Sequence, residues 1–180
     1  YFLGQGYFIG VRGCPFNCSY CSEYTMKQIF GMKDYIRKRN PRAFAREIEY
    51  QYNKYKDKGM RIADCFDPVF IFDKQWLSEF SDEYQKIGMA NKLPLSVFAE
   101  ATVVDEERIK LLHKANCKVV RIGIEAGNER IRMKVYEKQV TDEQLIKSFA
   151  ICHKYNLAIT AYNMLGGPGE SKETLNDTFK

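Results

Sequence analysis

The sequence lacks the features that mark a membrane, secreted or disordered protein. Its 180 residues contain no run of about eighteen apolar residues, the length that would cross a bilayer. The opening segment YFLGQGYFIG carries no basic residue and no small-residue cleavage site, so it is not typical of a signal peptide. No segment is low in complexity. We therefore expect a cytoplasmic protein with no membrane partner.

A large surplus of charge of one sign is also lacking. Lys and Arg total 28 against 23 Asp and Glu, which gives a net charge of +5. This surplus is spread along the chain, whereas a nucleic-acid-binding face needs clustered basic residues, so nucleic acid is not an expected partner. The one dense basic run, KDYIRKRNPR at residues 33–42, is interpreted as a solvated loop and helix start, with phosphate contact as the alternative.

Apolar runs alternate with amphipathic segments along the whole chain. The predicted strands cover residues 7–12, 60–66, 95–99, 118–125 and 157–165, and the predicted helices cover residues 41–58, 73–87, 105–115 and 141–155. Asn40 followed by Pro41 starts one helix, and Thr141 with Gln144 forms a capping box at another. The alternation predicts an α/β fold in which five parallel strands with crossover helices form a barrel or an open part of one.

Unusual polar segments follow each predicted strand. They are a cysteine-rich loop, Asp67, Glu100, Glu125 and the glycine-rich segment GGPGE at 166–170. Loops after parallel strands gather at one face of a barrel, where the chemistry of such folds is found. We therefore expect these segments to lie close together.

Six cysteines fall into two groups. Cys65, Cys117 and Cys152 are scattered in apolar surroundings and are predicted to be buried hydrophobic residues. Cys14, Cys18 and Cys21 crowd into eight residues, and closely spaced thiolates suit iron–sulfur clusters and zinc. A structural zinc site requires a fourth ligand, and the only histidines, His113 and His153, fall in predicted helices far along the chain. A cubane cluster held by three cysteines is therefore favoured, with one iron left open, and zinc remains the alternative.

The segment Cys14-Pro-Phe-Asn-Cys18-Ser-Tyr20-Cys21 resembles the Cys-x3-Cys-x-aromatic-Cys signature of the radical S-adenosylmethionine (SAM) superfamily. The resemblance implies a partial (β/α)6 barrel in which the three cysteines hold a [4Fe–4S] cluster whose open iron chelates SAM. It implies that electron transfer cleaves SAM to methionine and a 5′-deoxyadenosyl radical, which abstracts hydrogen from a small-molecule substrate. An electron donor such as flavodoxin or ferredoxin is expected.

Further segments resemble cofactor-binding positions of that superfamily. Phe66-Asp67-Pro68-Val-Phe resembles a segment after the second strand, and the resemblance assigns Phe66 and Asp67, with Asp64 as a weaker candidate, to SAM and its ammonium group. An Asp-Pro turn is the alternative for Asp67. Another similar segment is Arg-Ile-Gly-Ile-Glu125-Ala-Gly. This resemblance assigns Glu125 to the SAM ribose, and the alternative is that Glu125 anchors the next loop. Tyr20 and the glycines Gly166 and Gly167 are assigned to SAM as well. Glu100 stands where related sequences often have Arg.

The resemblance covers nearly the whole chain as one catalytic core, residues 1–180. The sequence lacks an initiator Met, its last residues TLNDTFK resemble the opening turns of a helix, and the usual sixth strand is missing, so we expect a core cut from a longer protein at both ends. NMLGGPGE and FDPVFIFDKQW favour the cobalamin-binding branch, with cobalamin as a third cofactor, an upstream cobalamin-binding domain and a downstream substrate domain. That branch implies methyl transfer or substrate rearrangement. A methylthiotransferase-like enzyme and a zinc- or cluster-stabilised nucleic-acid-binding module remain the alternatives.

Overall fold

A computed structural model describes residues 4–31 and 35–180. The strands in this part of the chain are β1 (Gln5–Phe8), β2 (Val11–Arg12), β3 (Arg37–Lys38), β4 (Ile62–Cys65), β5 (Leu95–Ala99), β6 (Cys117–Glu125) and β7 (Ala158–Asn163). Five of them form one parallel sheet in the order β1-β4-β5-β6-β7. This sheet confirms the predicted α/β fold with five parallel strands.

Helices lie between the strands, and the last helix follows the final strand β7. They are α1 (Ser22–Phe30), α2 (Pro41–Tyr55), α3 (Lys74–Lys86), α4 (Glu106–Lys114), α5 (Asp142–Lys154) and α6 (Lys172–Thr178). The Asn40 side chain accepts a hydrogen bond at the start of α2, and Thr141 and Gln144 form the predicted capping box of α5. Within the described residues, no helix is both long and apolar enough to span a membrane.

The predicted first strand, residues 7–12, is wrong in its extent. The sheet strand β1 ends at Phe8, and Val11–Arg12 belongs to β2, which pairs antiparallel with β3 in a separate two-stranded sheet. The physical reason is the buried Asp67 carboxylate, whose Oδ1 accepts hydrogen bonds from the backbone N–H groups of Gly10 (2.8 Å) and Val11. These bonds draw the chain out of the parallel ladder.

The hydrophobic core lies between the sheet and its helices. A group of aromatic rings from α2, α3 and the preceding loop fills it, and Trp76 and Phe80 stack with centroids 5.6 Å apart. Cys65, Cys117 and Cys152 lie in this core at 0–1% exposure, as predicted. Burial raises the pKa of all three thiols, that of Cys152 to about 11. They are therefore neutral packing groups.

Three features of the fold were not predicted from the sequence. Helix α1 follows the cysteine loop, β3 pairs with β2, and a π-helical turn, Ile131–Val135, follows β6. The basic run at residues 33–42 is only partly described, because residues 33 and 34 lie outside the described ranges. Its remaining residues include β3 and the first residues of α2, joined by irregular segments.

Candidate functional site

The cysteine loop is fixed in shape by backbone and side-chain contacts. Gly13 has a φ of 87°, and a Cβ there would collide with the Tyr35 backbone, so the position requires glycine. Cys21 is the N-cap of α1, and its N–H donates to the Cys18 carbonyl at 3.0 Å. Lys27 of α1 reaches back and donates to the Phe16 carbonyl at 2.8 Å. The loop therefore closes on the first turns of its own helix.

The three loop cysteines are free, half-buried and close enough to influence one another. Burial, with smaller effects of the neighbouring Cys21 and Cys18, raises the pKa of Cys14 to about 11 against the lowering effect of a hydrogen bond from the Phe16 backbone. Among the described residues, no three His, Cys, Asp or Glu side chains are arranged to hold a single metal ion. A cubane cluster makes a different demand, since each thiolate binds a different iron. Three uncommitted thiols on one short loop fit that donor set.

The cysteine loop is docked on the turn that follows β6. The Ser19 N–H donates to the Tyr136 carbonyl at 2.9 Å, and the Ser19 hydroxyl donates to the Val135 carbonyl at 2.9 Å. The rings of Tyr20 and Tyr136 meet edge to face, with centroids 5.5 Å apart. Segments more than 110 residues apart in sequence are thereby held together at one edge of the sheet.

Glu125 lies at the end of β6 with a strained backbone. Its φ of 69° is rare for a residue with a side chain, and the ladder to β7 shifts register at this point. The carboxylate folds over Gly123, where an added Cβ would collide with Oε1. Burial raises the pKa of Tyr20, and the Glu125 carboxylate, which accepts a hydrogen bond from its hydroxyl, raises it further. Glu125 therefore faces the cysteine loop, where the sequence predicted it.

The glycine-rich loop after β7 borders the same region. A Cβ on Gly167 would collide with the Tyr136 hydroxyl, so this glycine allows the close approach of the ring. Gly166 has a φ of 78° and open space where its Cβ would be. The Gly167 N–H donates to Glu170 Oε2 at 2.7 Å. The Tyr136 hydroxyl is buried and finds no hydrogen-bond partner among the residues described.

Asp67 lies apart from this group. It is 0% exposed, and its Oδ1 bonds the N–H groups of Gly10 and Val11, while Oδ2 has no partner in the described part of the chain. Burial raises its pKa to about 6, against the lowering effect of those two hydrogen bonds. These contacts support the alternative raised by the sequence, a structural role at the strand end, and its assignment to SAM stays a prediction.

Phe66 belongs to an aromatic group on the face of the sheet opposite the helices. Its ring lies 5.5 Å from that of Phe98, and the Arg121 guanidinium lies over both rings at 5.6 and 5.2 Å. Arg121 also makes a two-pronged ion pair with Asp64, with one contact at 2.7 Å. Asp64 is therefore committed to Arg121, while Phe66 is 46% exposed and open to a ligand.

Lys138 is a residue of the site that the sequence reading missed. It follows the π-helical turn, and its ammonium forms a buried ion pair with Glu100 at the end of β5. Both side chains line a cavity of about 220 Å³ that also contains Cys18. The one signal in the sequence was Glu100 itself, which stands where related sequences often have Arg, since a carboxylate that becomes buried needs a cation or hydrogen-bond donors beside it.

The structure therefore brings most of the predicted site together. Tyr20 contacts both Cys18 and Glu125, and Tyr136 links Tyr20 to Gly167. All of these residues follow the carboxyl ends of parallel strands, the edge where ligands bind in such folds. The groups at this edge are the cysteine thiols, a carboxylate and aromatic rings.

Known proteins share the sequence and the fold of this chain. The anaerobic magnesium-protoporphyrin IX monomethyl ester cyclase of Cereibacter sphaeroides is 27% identical over 172 residues, which are 94% of this chain and 26% of the cyclase. The structure of TsrM, a radical SAM methyltransferase from Kitasatospora setae, superposes with a TM-score of 0.78 at 21% identity over 98% of this chain and 33% of TsrM.

A second structure has the same core. The cobalamin-dependent SAM radical enzyme OxsB, solved with aqua-cobalamin and SAM, superposes with a TM-score of 0.79 at 16% identity over 96% of this chain and 25% of OxsB. The chain thus spans about a quarter to a third of these proteins. The Radical SAM superfamily model matches residues 8–180, from the end of β1 through the cysteine loop to α6. The resemblance seen in the sequence is confirmed, and the chain belongs to the radical SAM superfamily.

Proposed function

We propose that Cys14, Cys18 and Cys21 hold a [4Fe–4S] cluster and that the chain binds SAM at the open iron. The reductive cleavage of SAM to methionine and a 5′-deoxyadenosyl radical would then begin the reaction of the full-length enzyme, with the electron supplied by a donor of the flavodoxin or ferredoxin class. The observation that carries this proposal is the set of three free thiols on one loop, docked against Glu125 and Tyr136 at the carboxyl edge of the sheet.

The residues of the chain have distinct tasks in this scheme. The cysteine thiolates bind iron, and Lys27 holds the loop that carries them. The Glu125 carboxylate accepts hydrogen bonds from hydroxyl groups such as those of a ribose, and the Tyr20 hydroxyl, which donates to it, orients it. The absence of a side chain at Gly167 lets the Tyr136 ring pack against the loop after β7, and the open space at Gly166 allows a bound nucleoside to approach the backbone closely. When bound, the cluster would supply the electron for SAM cleavage.

Removing single thiols tests this proposal. The full-length protein that carries this chain is reconstituted anaerobically with iron and sulfide, and iron, the electron paramagnetic resonance (EPR) signal and 5′-deoxyadenosine are measured. We expect about four irons per chain, and Cys18→Ala should lose the cluster and 5′-deoxyadenosine. Cys152→Ala, the matched control, removes a thiol buried in α5 and should retain both. A protein that holds zinc, or a Cys18→Ala variant with an unchanged cluster, contradicts the proposal.

We further propose that the full-length protein uses cobalamin. The support is the similarity to TsrM, whose structure has been solved with cobalamin and a [4Fe–4S] cluster bound, and to OxsB. Reconstitution with hydroxocobalamin, followed by gel filtration and absorbance spectroscopy, tests this step. Retention of one cobalamin per protein is expected, and a protein that elutes without cobalamin while it still cleaves SAM favours the methylthiotransferase-like alternative.

A further inference from the structure

A buried pair of opposite charges lies beside the candidate cluster site. The Lys138 ammonium and the Glu100 carboxylate are in contact, at 4% and 9% side-chain exposure. Taking two such charges out of water is costly, and a buried ion pair is often no more stabilising than apolar residues of the same size. Stability alone is therefore a weak reason for a charged pair in this position.

The backbone around Lys138 is held firmly in place. Its N–H donates to the Arg132 carbonyl at 3.0 Å, and its carbonyl accepts from the Val140 N–H at 2.8 Å. The fully buried Arg132 side chain bonds the Val140 carbonyl at 2.7 Å as well. Glu137, just before Lys138, has a φ of 52°, a strained value for a residue with a side chain. The position of the ammonium is therefore fixed by the fold.

The ion pair lies beside the cysteine loop. Cys18, Glu100 and Lys138 line the same cavity of about 220 Å³. Pro15, Phe16 and Asn17 of the cysteine loop line this cavity as well. The two buried charges therefore face the loop that carries the three cysteines.

We propose that the Lys138–Glu100 pair tunes the reduction potential of the cluster held by Cys14, Cys18 and Cys21. This inference rests on the proposed function. Reduction adds negative charge to the cluster, so a nearby cation favours the reduced form and a nearby anion disfavours it. Lys138 and Glu100 would not bind the cluster in this role. They would act on it electrostatically, through their charges.

Two substitutions of opposite charge test the proposal. In the anaerobically reconstituted full-length protein, the midpoint potential of the cluster is measured by EPR-monitored redox titration at one fixed pH for all variants. Lys138→Met leaves the Glu100 carboxylate alone, so we expect a more negative potential. Glu100→Gln leaves the Lys138 ammonium alone, so we expect a more positive one. The double variant should return towards the wild-type value.

A matched control uses an exposed pair of the same kind. Lys154 on α5 donates to Glu106 on α4 at 2.7 Å, and both side chains are open to solvent. Lys154→Met and Glu106→Gln make the same charge changes, and solvent screening should leave the potential unchanged. If Lys138→Met does not assemble a cluster, Glu100→Gln decides by the sign of its shift.

The two possible failures are distinguishable. A wild-type protein that forms no [4Fe–4S] cluster overturns the proposed function, and the inference falls with it. A wild-type cluster whose potential is unmoved by both substitutions, or is moved in the same direction by both, overturns the inference alone. If the pair were purely structural, the two substitutions would lower the free energy of unfolding without shifting the reduction potential in opposite directions.

Discussion

The buried Asp67 carboxylate gives a stability effect whose sign and size follow from its surroundings. In the folded chain its pKa is raised from 3.8 to about 6, because burial outweighs the two N–H groups that bond Oδ1. The folded state therefore binds a proton more tightly than the unfolded state does, and stability falls as the pH rises from the unfolded to the folded pKa. A difference of about two pKa units corresponds to about 3 kcal/mol lost across that window.

Substitution of Asp67 by Asn removes the titrating group and keeps its shape. The amide oxygen still accepts from Gly10 and Val11, so the turn between β1 and β2 is preserved. Urea unfolding of the 180-residue chain is measured between about pH 4.5 and pH 8, where roughly 2 kcal/mol of the effect falls. The stability of the wild type relative to Asp67→Asn should decrease over this range and level off above about pH 7. A constant difference, or one that increases with pH, would refute the reasoning.

Two further predictions concern β6 and the loop that follows it. Arg132→Met removes the side chain that donates to the buried carbonyls of Ala126 and Val140. The free energy of unfolding, measured by urea titration, should therefore fall by about 3 kcal/mol. The control Arg130→Met, at an exposed position, should change the free energy of unfolding little. Gly123→Ala should displace the Glu125 carboxylate and weaken SAM binding about tenfold in equilibrium binding to the reconstituted protein, with an almost unchanged unfolding midpoint. Unaltered SAM affinity would argue against the ribose contact.

Much of the fold was predictable because its signals are local. Apolar runs and helix caps can be recognised from residues that are adjacent in the sequence. Strand β5 and the capped starts of α2 and α5 therefore lie where the sequence predicts them. The end of β1 was not predictable in this way. It is set by Asp67, whose contacts with Gly10 and Val11 join residues more than 50 positions apart.

The candidate site follows the same division. The cysteine spacing, Glu125 and the glycine-rich loop are short patterns, and the structure places them at one edge of the sheet. Lys138 carries no local pattern, since its role arises only when β5 and the turn after β6 bring it against Glu100. The orientation of Glu125 likewise depends on a positive φ and on space above Gly123, neither of which a linear sequence displays.

Strand β7 forms one border of the parallel sheet and is largely exposed along its length. Its outward backbone N–H and C=O groups have no strand beside them within the described residues, which makes this border a template for β-pairing. A second polypeptide segment laid along β7 would extend the sheet and shield its side chains from water. In a concentrated solution of this chain alone, copies should therefore associate through this border, and a covering strand should keep them apart.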